Sequence, residues 1–247
     1  MKVNWKAIAF FLLVIVLWQL VSSSGLVNEM LFPGPLKVTS AGFGWASSTL
    51  LEDVSISLWR LLAGIILGVT LGTIAGMLMG RILFLEETAA PLFHMLRSLP
   101  PVATVPLVII WFGIGEEAKI FTIAFGAFFP VWLSLLIGSK SIPIEYTRIA
   151  QIFAKPKIET YKKVILPAIQ PFLMNGIRIS IGIAYFMVFV SELAGASSGV
   201  GYRMAVAQIT YNADLLIAAL IVLGAMAFLT DYFFMRIYRR LVHWGET

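Results

Sequence analysis

The stretch KSIPIEYTRIAQIFAKPKIETYKKVILPAIQP, Lys140 to Pro171, is where a very hydrophobic chain turns basic and amphipathic. It carries Lys140, Arg148, Lys155, Lys157, Lys162 and Lys163, yet Ile149, Ile152 and Phe153, then Ile158, Tyr161, Val164 and Ile165, recur at three-to-four spacing. That period predicts two short amphipathic helices. Pro156 separates them and suits the first turn of the second, because its fixed φ fits a helix and its missing N–H would be an orphan there. Pro167 ends the second. Such a pair, flanked by membrane spans, either lies on anionic lipid or inserts its apolar face into a groove on another protein.

The flanks are membrane spans because composition leaves no alternative. The 247 residues are 60% hydrophobic and 13% charged, with a mean hydropathy of +0.92, far from a soluble globule. No cysteine is present, which excludes disulfides, thiolate metal sites and thiol catalysis. Six spans are expected over residues 7–22, 56–80, 98–114, 119–138, 172–193 and 213–235, in a single domain 1–247. The first apolar run resembles a signal peptide in length, but the charge pattern downstream needs a span there. Residues 23–53 read as a loop with a short surface helix around Thr49 to Ser57. In the second span Gly64, Gly68, Gly72, Gly76 and Gly80 fall on every fourth residue, a ridge along which a neighbouring backbone can approach closely. The third is interrupted by Pro101 and Pro106, and broken helices in a bilayer tend to line a cavity.

With six spans both termini share one side. Lys2, Lys6, Arg81, Arg97, the six cations of the basic stretch, Arg236, Arg239 and Arg240 fall there, against Lys37, Arg60, Lys119 and Arg203 opposite and Arg178 within a span. The bias places the termini and the basic stretch in the cytoplasm. It explains the net charge of +5 as a topology signal and argues against nucleic-acid binding.

Three stretches, in this order, resemble the permease subunit of bacterial ABC importers for nitrate, sulfonates, taurine and related solutes: SLPPVATVPLVIIWFGIGEEAKI (Ser98 to Ile120), the basic stretch, and GIRISIGIAYFMVFVSELAGASSGVGY (Gly176 to Tyr202). The resemblance implies an all-α, six-span type I importer fold whose segment 140–167 is a cytoplasmic coupling-helix pair between spans four and five. The family's Glu-Ala-Ala positions hold Arg148, Ile149 and Ala150, and its Gly holds Ala154. With Ile152, Phe153 and Pro167 these form the expected ATPase-coupling set. The implied partners are two ATPase subunits, an extracytoplasmic binding protein and a second permease, a homodimer being expected, all in the inner membrane. No G-x-x-x-x-G-K-[ST] loop occurs in the chain, so ATP hydrolysis belongs to another subunit.

The expected cargo is nitrate, a sulfonate or taurine, with a thiamine precursor or flavin as alternatives in the same family. A self-contained channel or secondary transporter would need neither coupling helices nor ATPase. Pro101, Pro106, Glu192, Ser197, Ser198 and Gly199 are the candidate pathway and gate residues. Glu192 qualifies because ionisable groups at such depth mark function or anchor at the headgroups. Gly195 to Gly199 also matches G-x-S-x-G, with Asp214, Asp231 and His243 following in hydrolase order. His243 lies one span away from Ser197, so no triad forms. No catalytic residue, metal site or cofactor is expected.

Overall fold

The computed structural model describes residues 5–142, 145, 159 and 165–241. The coupling residues Arg148, Ile149, Ala150, Ile152, Phe153 and Ala154 lie outside the described residues. Helices make up the architecture: α1 (Trp5–Ser23), α2 (Pro35–Ala46), α3 (Leu50–Arg81), α4 (Leu83–Ser98), a 3-10 turn (Pro101–Thr104), α5 (Val105–Phe112), α6 (Glu116–Ser141), α7 (Leu166–Leu193), α8 (Val200–Ile209) and α9 (Ala213–Leu241). Five of them, α1, α3, α6, α7 and α9, are long and apolar enough to cross a membrane, and the bent run from α4 through α5 makes a sixth if counted as one span.

Several boundaries differ from the sequence expectation. Residues 23–53 include a helix, α2, which starts with Pro35 in its first turn behind an extended Gly34. The short helix expected around Thr49 to Ser57 is the start of α3, which runs unbroken for 32 residues. Pro167 stands in the first turn of α7, where a missing N–H costs nothing, and Pro171 lies inside the same helix. The chain groups into two compact units, one of residues up to Ser57 with Ser197–Ala225, the other of Leu58–Ala196 with the residues from Met226 on.

In the first unit the end of α1 clamps the connection that follows it. Trp18 Nε1 donates to the Pro33 carbonyl (3.0 Å) and the Ser22 hydroxyl to the Phe32 carbonyl (2.9 Å). The approach is close enough that a Cβ on Gly34 would stand 2.8 Å from Gln19 Oε1. Most of α1 otherwise exposes large apolar side chains, as a lipid-facing helix must.

The second unit is built on the glycine ridge. A Cβ at Gly68 would lie 2.5 Å from the Ala124 carbonyl oxygen, one at Gly72 2.7 Å from that of Phe128, and one at Gly76 2.6 Å from that of Trp132. The neighbour is therefore α6 of the same chain, with Gly64 against Ile123 and Gly80 against Ser139 at the two ends. Glycine and partner advance together along the sequence, so α3 and α6 run parallel. The segment between them has to return from one end of the pair to the other, which only the α4–α5 run can do. On its other side α6 packs antiparallel to α7: a Cβ on Gly138 would meet the Phe172 ring at 2.5 Å, the Ser180 hydroxyl donates to the Ala127 carbonyl (2.7 Å), and Gly126 faces Met187. Trp132, fully buried, donates its Nε1 to Met79 Sδ at 3.1 Å and stacks edge-on against His94 of α4.

Adding one methyl to the ridge is expected to force backbone apart. Gly72→Ala should lower the stability of the purified protein by about 1–3 kcal/mol, as overpacking does. Gly182→Ala, where nothing lies within 4 Å, should raise it by up to about 1 kcal/mol through helix propensity. Thermal unfolding in detergent reads both, and equal melting of the two variants would refute the ridge contact.

Candidate functional site

Ser98 ends α4 and Pro101 opens the 3-10 turn, and the helices on either side are bent by 95°. The cause is local. A residue before proline is pushed out of the helical region, and Leu99 (φ −71°, ψ 130°) and Pro100 (φ −58°, ψ 122°) are both extended. The turn brings Arg97 and Pro101 to the wall of a cavity of about 370 Å³ that is also lined by Gly126, Pro130 and Ser134 of α6. Those residues lie near the middle of a 26-residue helix. Pro130 withholds the N–H that would have answered the Gly126 carbonyl one turn back, and the Ser134 hydroxyl adds a donor and acceptor. The remaining wall is apolar, from Phe129, Leu133, Ile179 and Ile183.

Arg97, which the charge count groups with the cytoplasmic-side cations, lines the same cavity as mid-α6. Among the described residues it forms no ion pair, whereas Arg60, Arg178 and Arg203 each hold a carboxylate.

The second unit also holds a buried charge cluster. Arg60, 2% exposed, extends Nε and Nη2 to the two oxygens of Glu116 (2.6 Å each) and Nη1 to Glu192 Oε1 (2.9 Å). The Lys119 ammonium joins Glu116 Oε1 at 2.9 Å. A guanidinium satisfies both carboxylates at once because its fork of donors is planar and fixed. Glu192 is thus neither a headgroup anchor nor a wall of the large cavity: its side chain is completely buried on Arg60. Beside Lys119 a crevice lined by Val105, Ile109, Ser191 and Gly195 has room for about 10 Å³, at most one water. The interrupted span therefore parts its two prolines. Pro101 belongs to the large cavity, while Pro106 sits in the first turn of α5, whose Val105 and Ile109 face the crevice.

In the first unit the small-residue loop is held at its end. The Gly199 N–H donates to Asp53 Oδ1 (2.9 Å) and the Val200 N–H to the Ser57 hydroxyl (2.9 Å), which together cap α8 from a neighbouring helix. Gly199 has φ 117°, a region that a side chain rarely tolerates. Asp53 also accepts from Trp45 Nε1 (2.8 Å), the Thr49 hydroxyl (3.0 Å) and Arg203 Nη2 (2.8 Å). Of the gate residues expected from the sequence, Ser197, Ser198 and Gly199, the last is tethered to a buried carboxylate. Sequence reasoning missed Asp53, Arg60, Glu116 and Lys119, because the contacts that join them to other helices, Arg60 to Glu116 and Asp53 to Arg203, lie 56 and 150 positions apart, and Lys119 enters only through its neighbour Glu116. The one available signal was that each is a charge inside or beside an apolar run.

The profile of the family described as binding-protein-dependent transport system inner membrane component matches residues 68–244. The chain is 34% identical over 248 residues to the putative aliphatic sulfonates transport permease protein SsuC of Bacillus subtilis, covering 100% of this chain and 90% of that one. It is 32% identical to the taurine transport system permease protein TauC of Escherichia coli, over 93% and 86% of the two chains. Among solved structures, an inward-facing MetNI methionine ABC transporter superposes with a TM-score of 0.63 at 20% identity, covering 78% of this chain and 98% of that one.

Two outcomes are expected of the buried charges. Arg60→Met should cost about 3–5 kcal/mol by stranding Glu192, and Arg60→Met with Glu192→Met should regain most of it. A double variant as unstable as the single one would show that the pair is not what holds these helices. Asp53→Ala should speed amide exchange at Gly199 by about tenfold or more, the worth of a hydrogen bond to a charged acceptor. Exchange at the wild-type rate would remove the tether.

Proposed function

Since the chain belongs to the family of binding-protein-dependent transport system inner membrane components and is the permease of an ABC importer, we propose that its cargo is a small organic sulfonate, taurine among the candidates. The observation that carries this reading is the near full-length similarity to permeases named for aliphatic sulfonates and taurine, in two organisms. The protein is a multi-pass inner membrane protein. In such transporters ATP is hydrolysed on a separate subunit.

Two copies of the permease would enclose the pathway, two ATPase subunits would dock from the cytoplasm, and a binding protein would deliver solute from outside. Closure of the ATPases on ATP would drive the segment 140–167, and α6 and α7, which flank that segment, would carry the motion to the cavity as alternating access. Both termini and the coupling segment face the cytoplasm in this reading, consistent with the Lys and Arg bias.

The test is reconstitution. Permease, ATPase and binding protein in proteoliposomes should take up labelled taurine or ethanesulfonate only with ATP, and a hydrolysis-dead ATPase should abolish uptake. Equal uptake without nucleotide would contradict the importer mechanism, and uptake of nitrate in strong preference to either sulfonate would contradict the cargo. Replacing Ile149, Ile152 and Phe153 together by Asp should release the ATPase from the purified complex; intact co-purification would show that the basic stretch is not the docking element.

A further inference from the structure

We propose that Arg97 is the anion-recognising group of the translocation pathway, and that the cavity it lines with Ser134 is a transit site for a sulfonate head with a short apolar tail. The inference rests on the sulfonate reading for the identity of the anion, and on the second unit's own geometry for the site.

An arginine at mid-depth in a membrane protein is costly, and it persists where it faces a water-filled cavity or a counter-charge. Apart from Pro101, the residues that line the cavity with Arg97 come from the middle of α6 and of α7, through Ser134 and Pro130 on one helix and Ile179 and Ile183 on the other. Half the length of a membrane-spanning helix is half the thickness of the hydrocarbon. No carboxylate among the described residues pairs with Arg97. Of the second unit's other cations, Arg60 is held by Glu116 and Glu192, Lys119 by Glu116, Lys140 by Glu86 and Arg178 by Asp231. Arg81 at the end of α3 and Arg236, Arg239 and Arg240 at the end of α9 hold no carboxylate among the described residues but do not line this cavity. No described residue supplies the counter-charge, and in this proposal the solute does.

The cavity selects its chemistry. A guanidinium presents parallel N–H donors to two oxygens of a tetrahedral or planar oxyanion. At about 370 Å³ the space is within the range of small-molecule sites, and the apolar wall suits two or three methylenes better than a second charged group. A bare inorganic anion would leave that wall unused. One unshared cation also keeps binding weak enough for release, which a transit site requires and a storage site does not.

The chain contains no cysteine, so Ser134→Cys places a single thiol in the cavity. Its labelling is measured on the reconstituted complex by intact mass of the permease, with 2-sulfonatoethyl methanethiosulfonate, itself an ethanesulfonate, and with its trimethylammonium counterpart. Relative to free cysteine, the anionic reagent should be favoured by about tenfold, and Arg97→Gln should erase that preference while Arg97→Lys retains part of it. Unlabelled ethanesulfonate should slow the reaction only when Arg97 is present. In uptake, Arg97→Gln should lower subsaturating ethanesulfonate transport by about tenfold or more, with the ATPase still stimulated by the loaded binding protein. A charge preference that is the same with Arg97 and with Gln overturns the proposal, whatever is transported. If the preference follows Arg97 but the wild type takes up neither sulfonate, the anion site stands and the cargo reading fails. If ethanesulfonate uptake is intact in Arg97→Gln, the cargo reading stands and the site fails. Ile179→Cys, at an exposed position on the same wall, repeats the labelling should Ser134→Cys not assemble.

Discussion

The contact between the backbones of α3 and α6 is the constraint from which the second unit follows. Lipid is as apolar as leucine, so no hydrophobic force draws two spans together, and dispersion has to do it at short range. Five glycines at four-residue intervals remove the Cβ atoms that would keep the helices apart. Because the contact runs in parallel register, the chain must cross back between α3 and α6. That crossing is the bent α4–α5 run, and its bend is what opens the cavity. The ridge thus fixes the topology, and the topology creates the site.

Charge is handled by opposite means in three places. Arg60 is surrounded and neutralised, with two carboxylates and a nearby ammonium; such a cluster is strongly destabilised when one member is removed and adds specificity more than net stability. Asp53 is used as a fastener, spending its acceptor capacity on an indole, a hydroxyl, a guanidinium and the amide of the glycine that precedes a helix. Arg97 has no such company among the described residues. The contrast between sequestered and available cations, rather than their number, distinguishes structural charge from charge that can meet a solute.

The helical spans and the importer family were legible in the sequence because each rests on a local signal: apolar runs of sufficient length, a glycine period of four, and three motif stretches in order. The identity of the ridge's neighbour was not, since a glycine period says that something approaches closely and nothing about what. The cavity beside Arg97 was hidden for a related reason. Charge counting assigns a residue to a side from its place along the chain, and says nothing of the 95° bend after Ser98 that brings Arg97 and Pro101 against the middle of α6. Glu192 illustrates the limit of depth as a criterion. Its position made it a candidate for the pathway, but only its distance to Arg60, 132 residues away in sequence, reveals that the carboxylate is already spoken for.

Pro130 ordinarily marks a weak point, a place where a long helix can flex. In this protein the glycine ridge grips α6 on both sides of it, at Ile123, Ala124 and Ala127 before the proline and at Val131, Leu135 and Ser139 after it. α3 therefore acts as a splint across the fracture. Any flexing of α6 would have to drag five glycine contacts with it, so the proline is disqualified as a hinge. The pair is built as one stiff rod, and the pivots of the proposed transport cycle are to be sought at the rod's ends.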